Sequence, residues 1–180
     1  MLSSLELRNC GELSGSAFEG VGCKLLQGLT LEFCGGLTNA GLEAAAAACP
    51  SLLQLNVRNV KNGPDLSAGI ESFTAHGGLE TITVEGCRIT DVTLRSFAVR
   101  CPLLKKVLIM HEDVITDAGV AAFMTSLPGL TRVDLVFNSQ LSSEGLLRRS
   151  TSGDHRLELQ PLTSDSPIRM SVMFIDGGLP

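Results

Sequence analysis

The sequence has no tryptophan, no tyrosine and only seven phenylalanines among its 180 residues, so a core has to be assembled from Leu, Val, Ile and Ala. Thin layers of repeated aliphatic positions meet that requirement better than a deep aromatic core. A basic surplus is also missing. The formal net charge is −5 and the pI about 5.2, which removes the Lys/Arg attraction on which nucleic-acid affinity largely rests. No stretch reaches the roughly 18 apolar residues of a membrane span, and the Ala-rich run from Gly41 to Cys49 is far too short. The opening MLSSLELRNC lacks the basic and then apolar segments of a secretory leader. An intracellular protein, in cytoplasm or nucleus, with reduced cysteines is therefore expected.

Several chemical signatures are absent too. The cysteines form no close Cys-x-x-Cys pair, so no metal site is expected, and no Gly-rich phosphate loop or hydrolase elbow points to a cofactor or an enzyme. His76, His111 and His155 stand far apart and out of phase with the cysteines, which supplies no acid, base and nucleophile.

What the sequence does contain is a repeat. Apolar pairs flanking one residue occur at Leu5/Leu7, Leu29/Leu31, Leu55/Val57, Ile82/Val84, Val107/Ile109, Val133/Leu135 and Leu157/Leu159, at successive offsets of 24, 26, 27, 25, 26 and 24. Three residues before the first six pairs stand Leu2, Leu26, Leu52, Leu79, Leu104 and Leu130; Asp154 breaks the rule at the seventh. After most pairs comes a Leu or Ile followed by Ser or Thr, as in LSGSAF at 13, LTNAGL at 37, ITDVTL at 89, ITDAGV at 115 and LSSEGL at 141. A Ser or Thr before an apolar segment has the chemistry of a helix N-cap, because its side-chain oxygen can accept from the free N–H groups of the first turn. Each unit therefore reads as strand, turn, capped helix, turn. Cys-Pro at 49 and 101 and Leu-Pro at 127 stop the helices. In the third unit Asn62-Gly63-Pro64-Asp65 lengthens the turn, and a loop bulging from the stack is expected there.

The stretches LTLEFCGGLTNAGLEAAAAACPSLLQLNV (29–57) and ITVEGCRITDVTLRSFAVRCPLLKKVLI (82–109) follow the pattern L-x-L-x-x-C, I/L-T-D/N, G-L, C-P-x-L. In this the chain resembles the cysteine-containing leucine-rich repeat family, as found in F-box/leucine-rich-repeat substrate receptors. The resemblance implies an α/β solenoid of about seven strand–helix repeats with a parallel sheet on its concave side. The array would occupy residues 1–162, with repeats starting near 2, 26, 52, 79, 104, 130 and 154, and 163–180 would form an incomplete repeat or a cap. It further implies a protein-interaction module, with the substrate-recognition part of an SCF-type ubiquitin ligase as the expected setting. The alternative is a scaffold or inhibitor-type repeat protein without ubiquitin chemistry. A protein partner is expected on the concave face, and a ligase adaptor only through a segment missing from this chain. Leu2, Leu5 and Leu7 begin the first strand with nothing before them, so a longer array or a covering partner is expected.

Stacked parallel strands, about 4.8 Å apart, bring equivalent residues into rows. One row reads Arg8, Glu32, Arg58, Glu85, Met110, Val136, alternating in charge over its first four members. Such pairs form a solvated, self-satisfied face worth about 0–1 kcal/mol each. Further along, Leu108, Met110 and Val136 replace polar residues while Lys106, Arg132 and Arg156 turn the flanking row basic. Lys106, Leu108, Met110, His111, Arg132, Asp134 and Val136 thus form a candidate partner-binding patch for an acidic-apolar segment. The other reading places Leu108 and Met110 under a C-terminal tail whose MSVMFI needs cover.

The remaining candidates read as structural. Cys10, Cys34 and Cys87 share one repeat position, Cys49 and Cys101 another with Cys23 close to it, and all are expected to be buried packing thiols. Glu112 and Asp113 read as solvated turn residues. Asp91 and Asp117, next to Thr90 and Thr116 at helix starts, read as charges complementing the helix dipole.

Overall fold

A computed structural model describes residues 2–11, 13, 15–18, 22–59, 64–142, 155–160 and 169–174; residues 15 and 16 and the last two segments are described by backbone alone. Six five-residue strands, β1 (Ser4–Arg8), β2 (Gly28–Glu32), β3 (Gln54–Arg58), β4 (Thr81–Glu85), β5 (Lys106–Met110) and β6 (Arg132–Val136), pair in sequence order as a parallel sheet. Their register is one to one throughout: Leu5, Leu29, Leu55, Ile82, Val107 and Val133 form one continuous row, and Leu7, Leu31, Val57, Val84, Ile109 and Leu135 a second. From β2 onward both rows are at most 3% exposed, which makes them the floor of the core. The leading leucines 26, 52, 79, 104 and 130 are buried beside them.

Parallel neighbours need a crossover, and helices supply it. These are α1 (Asn39–Ala48), α2 (Ser67–Ser72), α3 (Asp91–Arg100) and α4 (Asp117–Thr125), with a 3-10 turn at Gly15–Phe18 in the first unit. Thr38, Thr90 and Thr116 cap α1, α3 and α4 as expected, accepting from Gly41 N (3.1 Å), Val92 N (3.2 Å) and Gly119 N (3.2 Å). The third unit departs from this pattern. Its helix has six residues, Leu66 occupies the cap position, and Asp65 accepts from the Ser67 amide (3.0 Å) instead. A second 3-10 turn, Phe73–His76, completes the crossover before Gly77 at φ 66°. The expected bulge at Asn62 and Gly63 lies outside the described residues, as does the helical half of LSSEGL at 141.

The sheet does not continue as a seventh parallel strand. β8 (Arg169–Phe174) lies antiparallel against β6, and β7 (His155–Gln160) pairs antiparallel to β8 on its far side. The physical reason is visible at Asp154, where each of the six parallel strands has its leading leucine. Without that anchor the last segment joins as a hairpin, which needs no helical crossover. The tail segment expected to cover Leu108 and Met110 is therefore strand-paired along the edge of β6. This α/β arrangement, six parallel strands and four α-helices among the described residues, is compatible with the expected repeat solenoid. At the opposite end Leu2 is 63% exposed, and among the described residues β1 has no neighbour on its outer edge.

Candidate protein-binding face

The face of the sheet away from the helices divides in two. Over β1 to β4 an ionic ladder runs across the strands. Arg8 pairs with Glu6 and, at 3.3 Å, with Glu32; Arg58 lies 3.6 Å from Glu32 and 2.6 Å from Glu85. Asn56 Nδ2 donates to Glu32 Oε1 (3.2 Å), and the Arg58 guanidinium sits 5.9 Å over the Phe33 ring. The hydrogen bond to Glu85 raises the Arg58 pKa further above its ordinary value. At the ladder's end His111 Nε2 lies 3.9 Å from Glu85.

Over β5 and β6 the ladder ends. Register places Lys106 beside Arg132, Leu108 beside Asp134 and Met110 beside Val136, so the expected patch residues are neighbours. Lys106 is exposed, and among the described residues no carboxylate pairs with it. Leu108, Met110 and His111 are half-buried. Two expected members are not surface groups: Asp134 and Val136 are each 7% exposed. Arg132 holds the Asp134 carboxylate through Nε (2.6 Å) and a second nitrogen (3.2 Å), while Val136 stands opposite Arg169 in the β6–β8 register. Arg132 is thus partly neutralised, and among the described residues Lys106 has no carboxylate partner.

The sequence reading missed Phe137. Its ring stacks on His111 at 4.8 Å between centroids and 5° between planes. The signal was the repeat position two residues past the second aliphatic, shared by Asn9, Phe33, His111 and Phe137, all at φ 54° to 57°. Left-handed backbone at each of these strand ends turns the chain sharply and leaves the side chain beside the open face.

The next position is a tie between units. Cys34 Sγ reaches Leu7 O (3.7 Å), Cys87 Sγ reaches Val57 O (3.7 Å) and Asn138 Nδ2 reaches Ile109 O (3.1 Å). Glu112 occupies the same position, and it is not the solvated turn residue expected, being 0% exposed. An ionised carboxylate has no hydrogen to give to a carbonyl, so it turns to amides instead. Its two oxygens accept from Cys87 N (2.8 Å) and Ile89 N (2.9 Å). Burial pushes the Glu112 pKa up to about 7 against the lowering effect of those amides, with Asp113 adding to the rise.

Asp91 and Asp117 also do more than complement a dipole. Asp91 accepts from Thr116 N (2.9 Å) and Oγ1 (2.7 Å), and Asp117 accepts from Ser142 N (2.9 Å) and Oγ (2.7 Å). Asp91 therefore links the start of α3 to the cap residue of α4, and Asp117 links the start of α4 to Ser142.

All six cysteines are free thiols, with Cys10 and Cys23 half-exposed and the others buried. Cys23 stands three residues before Leu26, as Cys49 does before Leu52 and Cys101 before Leu104, so it occupies their position fully. The same closing turn recurs, with Leu26 N donating to Cys23 O (3.0 Å) and Leu104 N to Cys101 O (3.2 Å). Burial raises the Cys34 and Cys87 thiols and pushes Cys101 up to about 11, keeping them protonated. Among the described residues no His, Cys, Asp and Glu side chains gather as a metal-binding group, and no helix is long and apolar enough to cross a membrane.

No protein-family model matches the chain. Among curated proteins it is similar to "Antagonist of mitotic exit network protein 1" of Eremothecium gossypii, 31% identical over 114 residues, 61% of this chain and 29% of that protein. The protein of the same name from Candida glabrata is 27% identical over 77 residues, 42% of this chain and 15% of the relative. The chain thus spans less than a third of the length of the curated relatives it matches.

Proposed function

We propose that this chain is a non-enzymatic protein-recognition module of the leucine-rich repeat kind, acting inside the cell as a regulatory antagonist in the control of mitotic exit. The observation that carries the reading is the break in the open face at β5. There Lys106 has no carboxylate partner among the described residues, Leu108 and Met110 replace polar groups, and the stacked His111 and Phe137 rings form one border. An apolar centre with a cation at its margin suits a partner segment of acidic and apolar residues.

The names of both relatives support the antagonist reading. An antagonist that holds its partner needs no chemistry of its own, which favours the inhibitor-type reading over a ubiquitin-ligase receptor. The ligase reading rests on the family resemblance, and its adaptor would dock through a segment outside this chain.

Affinity purification with mass spectrometry tests the proposal. Lys106→Glu combined with Leu108→Thr is expected to weaken capture of mitotic-exit regulators about tenfold, the worth of 1–2 kcal/mol at an interface centre. Thr30 and Thr83 already fill the Leu108 row in other strands, so the fold tolerates that side chain. Lys105→Glu is the control, since Lys105 pairs with Glu80 (2.9 Å) and precedes the strand. An unchanged partner set in the double variant would overturn the proposal.

A further inference from the structure

The two cysteine positions are both filled in two consecutive units, the first and second. Cys10 and Cys34 follow β1 and β2, while Cys23 and Cys49 precede β2 and β3. β1 and β2 are in register to Arg8 and Glu32, and beyond them Asn9 N donates to Glu32 O at 2.9 Å. Asn9 and Phe33 then turn alike at φ 54°. Cys10 Sγ lies on Arg8 O and Cys34 Sγ on Glu32 O, both at 3.5 Å, the same local geometry twice. One residue on, a Cβ added to Gly35 would stand 3.7 Å from Gly11 O, so the two loops are stacked. Equivalent residues of stacked units lie about 5 Å apart, inside the Cα separation a disulfide requires.

The second pair is built the same way. Leu53 N and Gln54 N both donate to Gln27 O (2.9 Å), which aligns the entry to β3 with the entry to β2 behind the two cysteines. In each pair one thiol acts on the other: after burial, the charge of Cys10 adds to the rise of the Cys34 pKa and that of Cys23 to the rise at Cys49. Cys87 and Cys101 have no such mates: the adjoining units carry Val60 and Glu112 at one position, His76 and Leu127 at the other.

We propose that Cys10–Cys34 and Cys23–Cys49 are two dithiol redox sites that close to disulfides and staple the first unit to the second. The oxidant is a low-molecular-weight disulfide of the glutathione class. The sulfur of the half-exposed cysteine attacks the oxidant as a thiolate, forming a mixed disulfide and releasing one small thiol. The buried partner then loses its proton to water, attacks the protein-side sulfur and expels the second small thiol. Two protein thiols are oxidised and one small disulfide is reduced to two thiols, which balances atoms and electrons. The second step is the slow one, because burial raises the pKa of both resolving thiols, Cys49 and Cys34. In a reducing compartment both pairs rest as thiols, so closure reports oxidation. The linked residues are 24 and 26 positions apart in the chain. The unit they secure has a 3-10 turn where its neighbours have an α-helix, and the β5–β6 face is not involved.

The full chain is treated with oxidised glutathione, quenched by alkylation under denaturing conditions and mapped by non-reducing mass spectrometry. Expected are linked peptides Cys10–Cys34 and Cys23–Cys49, loss of alkylation at those four residues with Cys87 and Cys101 still alkylated, and a higher melting temperature that dithiothreitol reverses. The combined Cys34→Ser and Cys49→Ser variant should leave glutathione on Cys10 and Cys23 and show no rise. Stable glutathione adducts without internal links in the unaltered chain would overturn the proposal. Crossed links such as Cys10–Cys23, or links without thermal gain, would do the same.

Discussion

Glu112 shows what happens when an acid occupies a slot that holds a hydrogen-bond donor, Cys34, Cys87 or Asn138, in other units. Its carboxylate is buried and closes the turn at Cys87 and Ile89, and its folded pKa of about 7 stands above the ordinary 4.5. A raised carboxyl pKa means that the folded state holds the proton more tightly than the unfolded one. Its stability contribution is therefore fullest below pH 4.5, declines as pH rises from there to 7, and is flat above. At 1.36 kcal/mol per pH unit the full decline is about 3 kcal/mol. Glu112→Gln is expected to abolish that slope in urea denaturation series between pH 5 and 8. It should also cost about 1–3 kcal/mol at the acid end, where one amide loses its acceptor. Parallel pH profiles for the two proteins would refute the assignment. From sequence this residue was readable only by its phase with Cys34, Cys87 and Asn138; an acid next to Asp113 otherwise looks like an exposed turn.

Between elements, the helices are held at close quarters. A Cβ on Gly119 would lie 2.1 Å from Asp91 Oδ1, the oxygen that accepts from Thr116 N. Ala for Gly in a helix ordinarily stabilises by about 1 kcal/mol. Here Gly119→Ala is expected to destabilise by about 1–2 kcal/mol, because it displaces the carboxylate that joins α3 to α4. In an Asp91→Ala background the same substitution should become neutral or stabilising, so a thermodynamic cycle by denaturant melts checks the contact. Additive effects would sink it. The fourth unit solves the same packing with Thr93, buried and bonded to Glu71 (3.0 Å), where neighbours use glycine. The strands and capped helices were legible because apolar spacing and Thr caps are local signals. Asp91 was not, since its partner lies 25 residues away and a helix-start aspartate already has a sufficient local explanation.

At the scale of the whole molecule, one apolar cluster runs unbroken from Phe18 to Leu141. Phe97, 2% exposed, lies well inside it, and Phe97→Ala is expected to cost about 3–5 kcal/mol. Hydrogen exchange should then show protection falling together in β4, β5 and α3, with smaller loss in β1; loss confined to α3 would contradict a shared core. The break after the sixth parallel strand was half-visible in Asp154, but the partner that replaces a seventh strand, 169–174, lies outside the repeat pattern and carries no phase to read. Finally, the ties after β2, β4, β5 and β6 point backwards. Cys34, Cys87, Glu112 and Asn138 each bond to backbone of a unit that precedes their own in the chain. A ribosome makes these units from first to last, so each of these strand ends waits, open to water or to a chaperone, until the next unit has emerged to close it.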